Sequence, residues 1–275
     1  MENLQEKIEA ASTYLISQGF INTKAAIVLG TGLSTILKKV NIEKSIAYNH
    51  IPHFVTSTVE FHKGNLILGS IGKNRVIIMQ GRFHYYEGYS MQEITFPVRV
   101  LGSLGIKLLL LSNAAGGMNE KFKKGDLVLI DDHINMLPEN PLRGLNDPFF
   151  GNRFVDMSCP YDKTIAKELK KRAGNLKIKL KKGVYVSVAG PNLETRAEYR
   201  YLRAAGADMV GMSTVPEVIV ANHLNMKCAA ISVITDECDP ENLKPVNIED
   251  IISTAGKADE KLSCLLESYL TSTVL

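Results

Sequence analysis

Arg82, His84 and Tyr86 stand two residues apart in the stretch GRFHYYEG, directly after the apolar run VIIMQ. A guanidinium can make two parallel hydrogen bonds to a phosphate. In an extended segment, residues two apart point to the same side, so the imidazole and the phenol join it there. Three donors on one side suit an oxyanion. A solvated loop with a stacked Arg–Tyr pair is the plainer reading of the same residues.

Other polar stretches also follow apolar runs. GTGLST (30–35) fails as a dinucleotide fingerprint, because no glycine closes it, and as a P-loop, because it lacks the Gly-Lys ending. Its backbone N–H groups and the Thr31 hydroxyl can still meet one phosphate, or the stretch is simply a turn. SNAAGGMN (112–119) places Ala114 and Ala115 where the backbone can approach a ligand, and a tight turn explains the glycines equally well. In AGPNLET, Glu194 either sits in a first helical turn, favoured by the helix dipole, or accepts from the N–H edge of a heterocycle. In GMSTVPEVIV, Ser213 or Thr214 can be an N-cap with Glu217 near the capping-box position, which leaves the helix N-terminus open to phosphate.

These stretches need elements to hold them. KAAIVLG, NLILGSI, NRVIIMQ, KLLLLSN, DLVLID, GVYVSVAG, DMVGM and KCAAISVIT are short apolar runs, the signature of strands covered on both faces. Helical patterns lie between several of them, at 91–104, 161–173, 194–205, 214–224 and 248–270, and another begins at Leu4 and ends at Gly19. Runs 65–71 and 75–80 form a hairpin across a short polar turn. The expected fold is α/β: a single domain over residues 1–275, with a mixed, mostly parallel twisted sheet flanked by helices. Ligands of such sheets gather beyond the carboxyl ends of the strands, where GTGLS, GRFHYYEG, SNAAGGMN, AGPNLET, GMSTVPE and ITDECDP all lie.

The chain has 275 residues, 45% apolar and 22% charged, with a net charge of +3. That composition is globular. The charge is too small to argue for nucleic acid, and the lysine-rich segment Lys167–Lys182 reads as a solvated helix end and loop. No run of about 18 apolar residues exists to span a membrane. Cys159, Cys228, Cys238 and Cys264 form no CxxC pair and no signal peptide precedes them, so reduced thiols and a cytoplasmic location are expected. There is no HExxH and no ligand-spaced carboxylate–histidine cluster, so no metal is expected, and no GxSxG elbow appears. His50, His53, His133 and His223 read as isolated surface or core histidines, and His62 in VEFHKG stays open. Cys238 lies between Glu237 and Asp239, which would raise its pKa rather than activate it.

Together, GTGL, GRFHYYEGY, SNAAGGMN, AGPNLET and GMSTVPEVIVANH resemble, in order and over nearly the whole chain, the trimeric purine nucleoside phosphorylases. The related methylthioadenosine phosphorylases share the fold, with middle segments less like these. The resemblance implies a pentosyltransferase of purine salvage that converts a purine (deoxy)ribonucleoside and inorganic phosphate to free purine and (deoxy)ribose 1-phosphate, with no cofactor. It implies that Thr31, Arg82, His84, the Ala114 backbone and Ser213 hold phosphate, with His62 closing over it. It places Tyr86 and Met212 on the ribose, and Glu194, with Ala115 and Leu193 beside it, on the purine. His84, Glu194 and Asp236 carry the catalytic work, and Thr235 precedes Asp236 at the base. Phe150 would reach into a neighbouring subunit's site, in a homotrimer.

Two positions depart from the family pattern. Asp236 stands where the family has an asparagine that donates to purine N7. An ionised carboxylate accepts only and would repel both the N7 charge and a 6-oxo oxygen, whereas a protonated Asp236 can donate to N7 while its other oxygen accepts from a 6-amino group. The methylthioadenosine enzymes carry aspartate here and a second acid for which Asp239 can stand in. The plainer reading is that Asp236 only caps a turn before Pro240. Ile248 stands where many members have a histidine on the 5′-hydroxyl, so it tolerates an apolar 5′ group. Both favour 6-amino or 5′-modified nucleosides such as methylthioadenosine. A non-catalytic nucleoside-binding protein on the same fold is the remote alternative.

Overall fold

The computed structural model describes residues 3–56, 63–144, 150–245 and 247–273. The expected α/β architecture is present. The strands are β1 (Ala25–Val28), β2 (Asn41–Ala47), β3 (Asn65–Ile71), β4 (Asn74–Gln80), β5 (Leu108–Gly117), β6 (Leu127–Asn135), β7 (Leu180–Ser187), β8 (Met209–Gly211) and β9 (Lys227–Glu237). The α-helices are α1 (Leu4–Ser17), α2 (Met91–Ser103), α3 (Lys163–Asn175), α4 (Arg196–Ala204), α5 (Val215–His223) and α6 (Ile248–Ser272). No described helix is long and apolar enough to cross a membrane.

Among the described residues the strands form one mixed sheet in the order β2-β3-β4-β1-β5-β8-β7-β6-β9. An additional β5–β9 pairing joins the far strand back to the middle, so β5, β8, β7, β6 and β9 close into a ring. β5 does this by dividing its length. Leu108–Leu111 pair in parallel with β1 on one side and with β9 on the other, and Gly116 and Gly117 then turn to β8. A register shift between Ala115 and Gly116 lets the strand bend there.

The apolar runs follow from burial on both faces. Ala26, Val28, Ile77, Met79, Leu109 and Leu111 enter one hydrophobic cluster, while Ala25, Ile27, Val76, Ile78, Leu108 and Leu110 enter a second. The alternation is the period-two geometry of a strand. The hairpin of β3 and β4 is antiparallel, as expected. One strand was not expected. β2 is mostly exposed and carries Glu43 and Lys44, because it pairs only with β3 at the sheet edge, where charge is compatible with burial of neither face.

Helix α6 ties the sheet to the first glycine loop. Asp259, buried on α6, accepts from the Thr35 N–H at 2.6 Å and from the Ser263 hydroxyl at 3.2 Å. A Cβ on Gly32 would lie 3.2 Å from the Ala255 Cβ, so loop and helix are in close contact.

Candidate active site

The six stretches meet in one cavity of about 280 Å³. Its walls include Thr31, Arg82, His84, Tyr86, Ala114, Ala115, Leu193, Glu194, Met212, Ser213, Thr235, Asp236 and Ile248. Of the expected site residues among those described, Phe150 is elsewhere. His62 lies outside the described residues. Phe150 is buried apart from this cavity, with its ring centroid 5.3 Å from the Arg99 guanidinium. A larger cavity of about 630 Å³, between the segment around Phe154–Thr164 and that around Asn222–Cys228, contains none of the six stretches. Among the described residues, no group of three or more His, Cys, Asp or Glu side chains could hold a metal ion.

The segment after β4 is not extended throughout. His84 is extended, but Tyr85–Glu87 form a single 3₁₀ turn that Gly88 closes in the left-handed region (φ 91°). The cause is Glu87, whose carboxylate accepts from the His84 backbone N–H at 2.8 Å. The turn brings the Tyr86 ring parallel to the His84 ring at 4.7 Å, so these two stack rather than an Arg–Tyr pair. Glu87 Oε1 also lies 3.0 Å from His84 Nδ1. A carboxylate only accepts, so Nδ1 carries the proton and, in the neutral ring, Nε2 is left as an acceptor. Burial, and then the nearby Arg82 charge, hold the imidazole below its usual pKa, against the opposing pull of Glu87. Burial pushes the Tyr86 hydroxyl up to about 12.

Arg82 is 1% exposed and joins four segments. It donates to Ser112 O at 2.6 Å, Val28 O at 3.4 Å, Ser213 Oγ at 2.9 Å and Thr214 Oγ1 at 3.2 Å. Its Nε is 3.7 Å from the buried Glu217 carboxylate. Thr214, not Ser213, is the N-cap of α5, and Glu217 Oε2 accepts from the Thr214 N–H at 3.0 Å. Ser213 is therefore left to the cavity. Thr214 has φ 71° and ψ −52°, and Val215 N–H donates to Ser213 O at 2.7 Å. That is a γ-turn of the rare, strained hand. Asn113 Nδ2 (2.9 Å) joins Arg82 in fixing the Thr214 hydroxyl.

At the opposite wall the capping question is settled in the same way. Thr195 caps α4, and its partner is Glu198, the acid of the first turn. Glu194 precedes the cap and lines the cavity. Its carboxyl is raised above the usual range, first by burial and also by the Asp236 charge. Asp236 Oδ1 accepts from the Thr235 hydroxyl at 2.8 Å and Oδ2 from the Cys238 thiol at 3.0 Å, so it does more than cap a turn. The Cys238 thiol is pushed up by burial and then by Asp236, not chiefly by its sequence neighbours. Asp239 does not line this cavity but an adjoining one that shares Thr235, Asp236 and Ile251, and it accepts from the Glu241 N–H and the Asn242 amide.

Several lining groups carried no local signal. Tyr199, Ile251 and Ile252 complete the cavity from α4 and α6. The Tyr185 hydroxyl accepts from the Ser213 N–H at 3.3 Å, and the Ser187 hydroxyl donates to Ser213 O at 3.2 Å. Helical spacing on α4 and α6 marks the first three as helix faces, but only the fold says what those faces meet.

Gly190 shows how tightly the cavity wall at Met212 is packed. It has φ 64°, and a Cβ there would lie 2.3 Å from Met212 Sδ. Gly190→Ala is expected to cost about 1–2 kcal/mol in the backbone alone and to displace Met212. A lower melting temperature in thermal unfolding checks this.

Known proteins share this sequence and fold. Residues 24–271 match the model of the phosphorylase superfamily. The chain is 45% identical over 254 residues to purine nucleoside phosphorylase 1 of Bacillus subtilis, covering 92% of this chain and 94% of that protein. Isoform 2 of purine nucleoside phosphorylase from Schistosoma mansoni, solved with cytosine and ribose-1-phosphate, superposes with a TM-score of 0.93 at 39% identity, covering 98% and 97% of the two chains. A Schistosoma mansoni purine nucleoside phosphorylase solved with adenosine gives a TM-score of 0.92 at 35% identity, covering 98% of each chain. This chain belongs to the phosphorylase superfamily and, within it, to the purine nucleoside phosphorylases.

Proposed function

We propose that the protein catalyses phosphorolysis of purine nucleosides. The observation that carries this is the single cavity lined by Thr31, Arg82, His84, Tyr86, Ala114, Glu194, Met212, Ser213 and Asp236, in which Arg82 donates to Ser213 and the Glu194 carboxyl feels the Asp236 charge. In our reading Arg82 and Ser213 mark a phosphate end, and Glu194 and Asp236 a purine end. Phosphate sits at the first end and the purine at the second. A phosphate oxygen forms the bond to C1′ as the C1′–N9 bond breaks, and the base leaves with the electron pair and takes up a proton. The sugar becomes cationic in passing. The phosphate stabilises that charge. The Glu194 carboxyl, its pKa raised by burial and a donor when protonated, stabilises the negative charge on the base while Asp236 accepts from its amino group. Much of the remaining acceleration is positioning. No covalent enzyme intermediate and no cofactor is needed.

Release of free base from inosine, guanosine or adenosine should require inorganic phosphate. Cleavage without phosphate would make the protein a hydrolase, and binding without turnover a nucleoside-binding protein.

A preference for 6-amino nucleosides is supported by Asp236, whose two oxygens both accept from neighbouring side chains. Ile248, 52% exposed, with Ile251 and Ile252 forms an apolar lip suited to an apolar 5′ group. Adding methylthioadenosine to the substrate panel tests both. A cytoplasmic salvage role and a homotrimer, with His62 over the phosphate, complete the reading, whereas Phe150 is buried against Arg99 of its own chain and does not fit the expected reach into a neighbouring site; light scattering tests the trimer.

A further inference from the structure

Asp236 does not hold its orientation alone. Asp236 and Cys238 lie two residues apart at the end of β9, so their side chains leave the strand on the same side. The Cys238 backbone N–H donates to Gly117 O at 2.8 Å, which fixes the thiol against β5. Space for it exists because residue 116 is glycine. A Cβ there would lie 2.5 Å from Cys238 Sγ and 3.2 Å from Asp236 Oδ2. Cys238 is 1% exposed and donates to Asp236 Oδ2. Tyr199 lines the same cavity beside Glu194 and Asp236.

We propose that Cys238 is a positioning residue for base selection, its thiol pinning the Asp236 carboxylate as an acceptor for a 6-amino purine. Thr235 holds one oxygen and Cys238 the other, so the carboxylate plane is fixed from both ends. A carboxylate fixed in this way accepts from an amino group and repels a 6-oxo oxygen. The inference rests on the reading of Asp236 as a base contact.

The test compares kcat/KM for adenosine and inosine, with phosphate saturating, in the intact protein and in Cys238→Val, Cys238→Ser and Asp236→Asn. Valine approximates the thiol's volume without a donor, and serine keeps a donor. Cys238→Val is expected to lower the adenosine-to-inosine ratio about tenfold, Cys238→Ser to hold it, and Asp236→Asn to lower it at least as far as valine does. If valine fails to fold, Cys238→Ala is read in its place. A ratio unchanged by valine but lowered by Asp236→Asn overturns the role of the thiol and leaves Asp236 standing. A ratio unchanged by all the variants overturns the reading of Asp236 itself. Equal losses on both nucleosides in the serine and valine variants make Cys238 merely structural and also overturn the proposal, as does an intact protein that cleaves inosine and not adenosine.

Discussion

Arg82→Met is expected to abolish nearly all phosphorolysis and to lower the melting temperature at the same time. The guanidinium is 1% exposed, yet it lines the cavity and reaches Ser213, Thr214, Ser112 and Val28. Its removal leaves the Glu217 carboxylate, 5% exposed, without the cation 3.7 Å away. Breaking one half of a buried ion pair costs about 3–5 kcal/mol, which for a chain of this size is a fall of roughly 6–20 °C. Losing a charge-assisted contact to the reacting phosphate costs about 100- to 1000-fold in rate. Arg82→Lys separates the two effects. The ammonium keeps the charge near Glu217 and should recover part of the stability, but it lacks the fork that bridges Ser213 and Ser112 and should recover little activity. Calorimetry and phosphate-dependent kinetics measure both. Activity within tenfold of the intact protein in Arg82→Met would remove Arg82 from the phosphate site.

Glu194→Ala should cost about 10- to 150-fold in kcat/KM for 6-oxopurine nucleosides, the worth of one hydrogen bond to a charged acceptor, with little change in stability because the side chain is only half-buried. A second expectation concerns pH. The groups facing this carboxyl are Tyr199 and Glu198 on α4, and Asp236 and Cys238 at the end of β9. Burial and the Asp236 charge raise its pKa, so it takes up a proton at a higher pH than an ordinary glutamate. Ionised, it accepts from the N1–H of a 6-oxopurine. Protonated, it can donate to N1 of a 6-aminopurine. The adenosine-to-inosine ratio should therefore rise as pH falls towards the raised pKa, and this rise should vanish in Glu194→Gln. A ratio that is flat with pH in the intact protein would remove Glu194 from contact with N1.

Most strands were legible because both faces of the sheet are covered, which turns each strand into a continuous apolar run. β2 escaped because it is an edge strand with charged residues. The closure of the ring was not legible, since it depends on β5 changing partners at Gly116, and no run of apolar residues encodes a change of partner. Most of the expected site residues converge because strand ends are where such sheets bind ligands. The local geometry was less accessible. Glu87 bends the segment that was expected to be extended. Glu198 and Thr214 take the capping roles that Glu194 and Ser213 also fitted, and a capping motif in sequence does not say which of two adjacent residues is the cap. Tyr199, Tyr185 and Cys238 act through contacts made across the fold, and sequence spacing carries no record of these.

Helix α6 has a longer reach than any other element here. Its first turn forms the lip of the cavity through Ile248, Ile251 and Ile252, and three turns on Asp259 holds the Thr35 N–H at the end of the first glycine loop. In the proposed reading one helix would then meet the nucleoside at its first turn and support the phosphate loop three turns on. A 5′ substituent that shifts the lip is therefore expected to change the affinity for phosphate, and phosphate the affinity for that nucleoside by the same factor. Substrate preference is then expected to be a property of the pair of substrates, read differently at low and at high phosphate.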